Sequence, residues 1–346
     1  MSTRLEAVMA QLDVPLLVTN LTNVFYLTGF DSSNAALLIE PGGGATLYTD
    51  FRYIESARTV PDVEVQMTNR TLLLDVGERL SGRVQFEADV LPYTEWERLA
   101  AGAAELVPTA GIVEGLRAVK DADEVSKLRR AAKIADRGLE ALTAETWIGR
   151  SEKELAWRLR ELLHAHGADE LSFDSIVASG PNGALPHASP SDRIVEKGTL
   201  VTVDWGARVD GYCSDCTRTF STGRLPDRLR EAYDACLAAQ KLACGGIRAG
   251  LTGIEADALA RDPITAAGFG ENFGHGLGHG VGLIVHESPR LSAQSSDTLE
   301  TGNAVTIEPG IYLPGLGGVR IEDLAIVHED GVDLLTSFPK ELVTVG

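Results

Sequence analysis

The sequence predicts an α+β protein of two domains, a smaller α/β domain over residues 1–117 and a larger domain over residues 118–346. Three observations carry this. A chain of 346 residues is long for one hydrophobic core. Its first third alternates short strand-like and helical runs, whereas from Lys120 apolar residues recur at helical spacing over longer stretches. In the second part, two helices followed by a hairpin bearing carboxylates occur twice, without a residue-level repeat.

The elements follow in order. Residues 16–19, 24–27, 35–40 and 46–49 read as strands, with Pro41-Gly42-Gly43-Gly44 turning the chain between the last two. Residues 51–59 and 93–102 read as helices, and residues 62–68 and 83–86 as further strands. Val125, Leu128, Ala132, Ala135, Leu139 and Leu142 mark one face of a long amphipathic helix. The next helix opens on a capping box, Ser151 with Glu154, continues through Leu155, Leu159 and Leu162, and ends at Gly167. A hairpin over 200–220 precedes helices around 227–245 and 254–267. A glycine-rich segment and a second hairpin over 304–327 complete the pattern.

Composition excludes several classes. Fifty acidic residues against 31 Lys and Arg give a formal net charge of −19, which repels phosphate backbones and anionic lipid. Nucleic acid and membrane are therefore not expected as partners. Glu6 and Asp13 interrupt the apolar stretch that a secretory signal needs, and the run at 35–39 is too short to span a bilayer. Four cysteines do not form a disulfide framework in a chain this long, so a cytoplasmic location is expected. Cys213 and Cys216 form a C-x-x-C within a predicted strand. Side chains three apart on a strand point to opposite faces, so the pair reads as structural.

The chemistry concentrates on the two hairpins. Asp204 and Asp215 fall on opposite arms of the first. They are directly opposed if the turn centres between 209 and 210, and diagonal if it centres between 210 and 211. Either register puts both on one face, within roughly 8 Å. The second hairpin places Glu308 against Glu322 around a turn centred on Gly315. Paired carboxylates repel unless a cation lies between them. An exposed acidic face on each hairpin is the alternative.

Histidine adds a possible imidazole ligand. His187, His275, His279 and His286 lie outside the hairpins. The run Gly274-His275-Gly276-Leu277-Gly278-His279-Gly280-Val281-Gly282 sets two imidazoles among glycines that permit close backbone packing. A phosphate loop is the competing reading, but no Gly-Lys-Ser/Thr is present and the run does not clearly open a helix. Structural histidines are the other. Two Asp, two Glu and a His suit a pair of divalent ions, with Mn²⁺, Co²⁺ or Fe²⁺ ahead of Zn²⁺. Ions roughly 3.5–4 Å apart would generate a hydroxide nucleophile near neutral pH, which makes hydrolysis the expected reaction class.

These residues resemble the pita-bread metallopeptidases, the group that contains methionine aminopeptidase, aminopeptidase P, prolidase and creatinase. Asn23-Val24-Phe25-Tyr26-Leu27-Thr28-Gly29-Phe30 and Thr49-Asp50-Phe51-Arg52-Tyr53 are similar to the creatinase-type N-terminal domain. Ile176-Val177-Ala178-Ser179-Gly180-Pro181-Asn182, Leu185-Pro186-His187 and Val203-Asp204-Trp205-Gly206 are similar to the catalytic domain. So are Ser214-Asp215-Cys216-Thr217-Arg218, Gly278-His279-Gly280-Val281-Gly282, Ile307-Glu308-Pro309-Gly310 and Val319-Arg320-Ile321-Glu322-Asp323.

The resemblance implies a role for each residue. Asp204 would bind one metal ion, Asp215 and Glu322 both, and His279 with Glu308 would complete the second. His279 is preferred to His275 because the family's ligand histidine precedes another, here His286, by seven residues. Glu308 would also act as general base and acid, His286 would steady the oxyanion, and His187 would contact the scissile amide. His275 would line the proline site, and Arg320 would orient Asp204 or Glu322. The implied cofactor is two divalent ions per subunit, Mn²⁺ first, in a homodimer.

The implied activity is hydrolysis of the bond between an N-terminal residue and proline. Proline's amide nitrogen lacks N–H, so recognition must use ring shape. The short N-terminal domain resembles small prolidases, which act on Xaa-Pro dipeptides, and Arg52 is a candidate clamp for the dipeptide carboxylate. The alternatives are an aminopeptidase P acting on longer peptides and, in another class, a metal-free binding module.

Overall fold

The computed structural model describes residues 3–346 and divides the chain into two compact units, one ending at Arg117 and the other Ala118–Gly346. From Thr3 to Ala118 the elements are α1 (Thr3–Met9), β1 (Leu16–Val18), α2 (Leu21–Thr28), β2 (Ala35–Ile39), β3 (Ala45–Asp50), α3 (Ile54–Ala57), β4 (Glu64–Thr68), α4 (Leu72–Arg79), β5 (Arg83–Glu87), α5 (Tyr93–Leu99), β6 (Glu105–Thr109) and α6 (Ile112–Ala118). The strands form one mixed sheet in the order β4-β3-β2-β1-β5-β6. Leu17, Ala36, Leu38, Val76, Val84 and Leu99 share a core between sheet and helices.

Residues 24–27 are helical, not a strand. Asn20 caps α2 by accepting from Thr22 N, and Gly29, left-handed at φ 70°, ends it. Four apolar residues fit either element by periodicity, so the caps decide. The helix expected over 51–59 shrinks to α3, while α4 and β6 have no counterpart among the predicted elements.

The second unit contains α7 (Ala122–Thr143), α8 (Glu152–Ala165), β7 (Glu170–Leu171), β8 (Ile176–Ser179), β9 (Leu200–Trp205), β10 (Ala207–Val209), β11 (Tyr212–Cys213), β12 (Cys216–Ser221), α9 (Asp227–Gly246) and α10 (Gly253–Ala266). It continues with β13 (Gly278–Gly280), β14 (Glu287–Leu291), β15 (Ala304–Ile307), β16 (Gly310–Leu313), β17 (Gly317–Arg320), β18 (Asp323–Val327) and β19 (Val332–Leu334). Capping boxes start α7 (Asp121 with Glu124), α8 (Ser151 with Glu154) and α10 (Thr252 with Glu255). Losing such a cap costs about 1 kcal/mol.

Each helix pair covers its own set of strands. Leu139, Leu155, Leu159 and Leu163 of α7 and α8 pack with Val177, Val201, Val203 and Trp205 of β8 and β9. Ala232, Cys236, Ala256 and Ala260 of α9 and α10 pack with Val305, Ile307, Val319 and Ala325. The small residues on α9 and α10 let backbone approach sheet, and each large apolar side chain buried here stabilises by about 1.5–3 kcal/mol. Cys213 and Cys216 are free and buried, and their sulfurs reach different carbonyls, of Leu283 and Glu322.

Candidate active site

The first hairpin takes its register from Asp210-Gly211. Both residues have positive φ, 49° and 84°, as a two-residue I′ turn demands. The turn therefore centres between 210 and 211, and Asp204 pairs with Thr217. Asp215 lies in the break between β11 and β12, so the carboxylates are diagonal, the second of the two registers the sequence allowed. In the second hairpin Ile307 pairs with Asp323 and Gly310 with Arg320. Glu308 and Glu322 thus face each other across a break in the ladder, as the turn centred on Gly315 requires.

His279 arrives on β13, the strand between β14 and β15. The glycines beside it are steric necessities. A Cβ on Gly278 would sit 2.1 Å from Thr306 O, and one on Gly280 would sit 2.1 Å from Ser288 O. The centre of the histidine–glycine run is therefore a closely packed strand, Gly278–Gly280, rather than a phosphate loop.

Asp215, His279 and Glu322 offer ligand atoms that lie within 4.8 Å of one another. Glu308 Oε1 is 3.1 Å from His279 Nε2 and accepts from Thr306 Oγ1 at 2.9 Å. His279 Nδ1 lies 3.0 Å from Gly280 O, which makes Nδ1 the natural donor and leaves Nε2 for an ion. Arg320 holds the opposite side: Nη2 donates to Asp204 Oδ2 at 2.7 Å and Nε to Thr217 Oγ1 at 3.0 Å. Its Nη1 donates to Tyr312 Oη at 2.9 Å, and that hydroxyl also meets His275 Nε2 at 2.9 Å.

The electrostatics are those of a cation site. Burial, reinforced by the neighbouring carboxylates, pushes Asp215 and Glu322 well above the usual carboxylate range; burial also raises Asp204 against the pull of Arg320. Burial acts the same way on Glu308, but the hydrogen bond and charge of His279 outweigh it and bring Glu308 to about 2. Asp204 Oδ1 and Glu322 Oε1 are buried without a hydrogen-bond partner. An unsatisfied buried oxygen costs about 1–3 kcal/mol, more when charged. Orphaned, mutually repelling oxygens beside an imidazole nitrogen that faces Glu308 fit divalent metal ions.

All five proposed ligands line one cavity of about 760 Å³ in the second unit, and His187, His275, His286 and Arg320 line it too. The ring centroid of His286 is 4.4 Å from that of His279. Arg52 belongs to the first unit, where its Nε and Nη2 are held by Asp50 at 2.9 and 2.6 Å. Three cavity or near-cavity groups were not singled out from the sequence: Thr217, Tyr312 and Arg290. Thr217 follows Asp215 by two residues on the predicted hairpin, so alternation would have found it; Tyr312 and Arg290 carry no such signal.

A carboxylate-rich, imidazole-bearing metal cavity between two hairpins defines a metal-dependent hydrolase of the pita-bread fold. The chain belongs to metallopeptidase family M24, whose model matches residues 126–329. The creatinase/prolidase N-terminal domain model matches residues 3–119. An Xaa-Pro dipeptidase from Bacillus anthracis shares 41% identity and a TM-score of 0.95 over 99% of both chains. An Xaa-Pro dipeptidase from Pyrococcus horikoshii is 36% identical over 96% of this chain and 95% of its own. An X-Pro aminopeptidase from Thermotoga maritima shares 34% identity and a TM-score of 0.87, over 96% of this chain and 97% of that one.

Proposed function

We propose that the chain is an Xaa-Pro dipeptidase that uses two divalent ions per subunit, Mn²⁺ first, held by Asp204, Asp215, His279, Glu308 and Glu322. The dipeptidase names of its relatives support this reading, and one observation carries it: Arg290 lines the cavity with a guanidinium that has no hydrogen-bond or ion-pair partner among the described residues. Arg320, the other arginine lining the cavity, is committed to Asp204, Thr217, Pro186 and Tyr312. A dipeptide presents a carboxylate next to its scissile bond, and a free guanidinium can bind it through two parallel hydrogen bonds.

When bound, the ions supply Lewis acidity and lower the pKa of water. Glu308 takes the proton of the attacking water and returns it to the proline nitrogen, a secondary amine that must be protonated to leave. His286 donates to the developing oxyanion, and His187 contacts the scissile amide. Tyr312 accepts from Arg320, so its own proton points at His275 Nε2, and His275 offers the proline ring an uncharged wall. Burial, the largest influence, lowers the His275 pKa and favours that neutral form.

Arg52 is a separate proposal for the carboxylate clamp, with Nη1 as its uncommitted edge. The family resemblance supports a homodimer, and four free cysteines suit a cytoplasmic location; no helix among the described residues is long and apolar enough to cross a membrane. Hydrolysis of Ala-Pro against Ala-Pro-Ala, with added Mn²⁺ and with a chelator, tests the function. Chelator-sensitive cleavage that favours Ala-Pro is expected. Preference for Ala-Pro-Ala would replace the reading by an aminopeptidase, and cleavage of neither by the binding module.

A further inference from the structure

His187 lines the cavity on an exposed loop, yet its ring has no hydrogen-bond or ion-pair partner among the described residues. Its location is therefore set by the backbone that carries it. That backbone leaves β8 at Ser179, makes a 3₁₀ turn over Gly180–Ala184 and returns to α8 at Ser191. Both ends meet one side chain. Glu152, fully buried at the first turn of α8, accepts five hydrogen bonds from them. Oε1 takes Ser179 N at 2.6 Å and Ser179 Oγ at 2.9 Å. Oε2 takes Asn182 Nδ2 at 2.7 Å, Ser191 N at 3.0 Å and Ser191 Oγ at 2.7 Å.

We propose that Glu152 is a positioning residue that closes both ends of the 179–191 loop and so holds His187 over the active-site cavity. The proposal rests on the reading of His187 as a group that contacts the scissile amide. It also gives the Ser179-Gly180-Pro181-Asn182 motif a task that metal binding does not. Ser179 and Asn182 supply donors to the clamp, while Gly180 turns at φ 52° between them. A second point of support lies near the tip, where Arg320 Nη1 donates to Pro186 O at 3.0 Å. The base of the loop is thus fixed by a carboxylate and its crown by the arginine that also holds Asp204.

All five partners donate, so both oxygens serve as acceptors and no conservative replacement keeps them. Glu152→Gln preserves volume but turns one oxygen into a donor that faces other donors. Burying that mismatch displaces the loop while leaving the proposed metal ligands, which sit on other segments, in place.

The experiment combines Glu152→Gln, His187→Ala and the double variant, with kcat and KM for Ala-Pro in Mn²⁺ and amide hydrogen exchange over 183–190. Glu152→Gln is expected to lower kcat on the order of 10- to 100-fold at nearly constant KM, as misplacement by about 1 Å does. It should accelerate exchange in 183–190 alone, and it should cost nothing further in the His187→Ala background. Losses that multiply in the double variant, or an unchanged kcat in Glu152→Gln, overturn the proposal. If Glu152→Gln does not fold, Asn182→Ala and Ser191→Ala remove donors one at a time. Smaller losses with the same non-additivity support the clamp, and full activity in both overturns it. Undiminished turnover in His187→Ala alone would instead remove the role given to His187. Hydrogen exchange, which needs no activity, then reports separately whether Glu152 holds the loop.

Discussion

Thr217 lies directly across the ladder from Asp204 but donates its hydroxyl to Glu322, at 2.6 Å, on the other hairpin. The same oxygen accepts from Arg320 Nε. One small side chain therefore joins the two carboxylate hairpins at the point where their charges converge. Thr217→Val keeps the shape and deletes both bonds, leaving Glu322 Oε2 and Arg320 Nε without this partner. A loss of about 1–3 kcal/mol in stability is expected by denaturant titration, with metal affinity reduced about 10-fold or more by calorimetry.

Metal removal should change how stability depends on pH. Asp204, Asp215 and Glu322 have folded-state pKa values raised above their unfolded ones, by burial first; neighbouring carboxylates add to this at Asp215 and Glu322, while Arg320 opposes it at Asp204. Through these three groups the folded protein binds more protons, so stability falls as pH rises through and beyond the ordinary carboxylate range; Glu308, held at about 2, acts in the opposite sense only up to its unfolded value. Bound ions reverse the sign by favouring the ionised form. Thermal unfolding of chelated protein from pH 4 to 8 should show a decline in Tm, and saturating Mn²⁺ should abolish it. A Tm that does not respond to metal at any pH would remove the metal site.

Substrate length should be read by Arg290. Arg290→Ala is expected to raise KM for Ala-Pro on the order of 10-fold or more, because a charge-assisted pair contributes about 1.5–3 kcal/mol, while changing Ala-Pro-Ala little. Arg52→Ala tests the competing clamp through the same ratio. A ratio unchanged by Arg52→Ala ends that proposal, and one unchanged by Arg290→Ala ends the other.

Close packing at β13 gives a steric prediction. Gly278→Ala puts a methyl group 2.1 Å from Thr306 O, backbone that cannot turn aside. Thr306 also binds His279 N and Glu308, so the strain enters the site directly. A loss of about 1–3 kcal/mol is expected in unfolding experiments, accompanied by weaker metal binding. Gly274→Ala, with nothing within 4 Å of its Cβ, is the control and should be silent.

Much of the architecture was legible because it is written locally. Apolar spacing located α7 and α8, the Ser151 capping box marked where α8 starts, and the Gly315 turn centre placed Glu308 opposite Glu322. Residues 24–27 misled because four apolar residues satisfy either period, and the deciding caps, Asn20 and Gly29, lie outside the run. Both hairpins could be seen to gather carboxylates, but the register of the first stayed open by one residue until the φ values of Asp210 and Gly211 fixed it.

The sequence by itself determined the division near residue 117, the two carboxylate hairpins and the histidine–glycine run, since each depends on neighbours a few positions away. Tertiary structure alone decided which oxygens stand unpartnered, that Thr217 and Arg320 tie the hairpins together, that Arg290 lines the cavity uncommitted, and that Glu152 closes the His187 loop. Those relationships join residues dozens to more than a hundred positions apart. No periodicity encodes them, because burial and hydrogen bonding are settled only when separate elements meet.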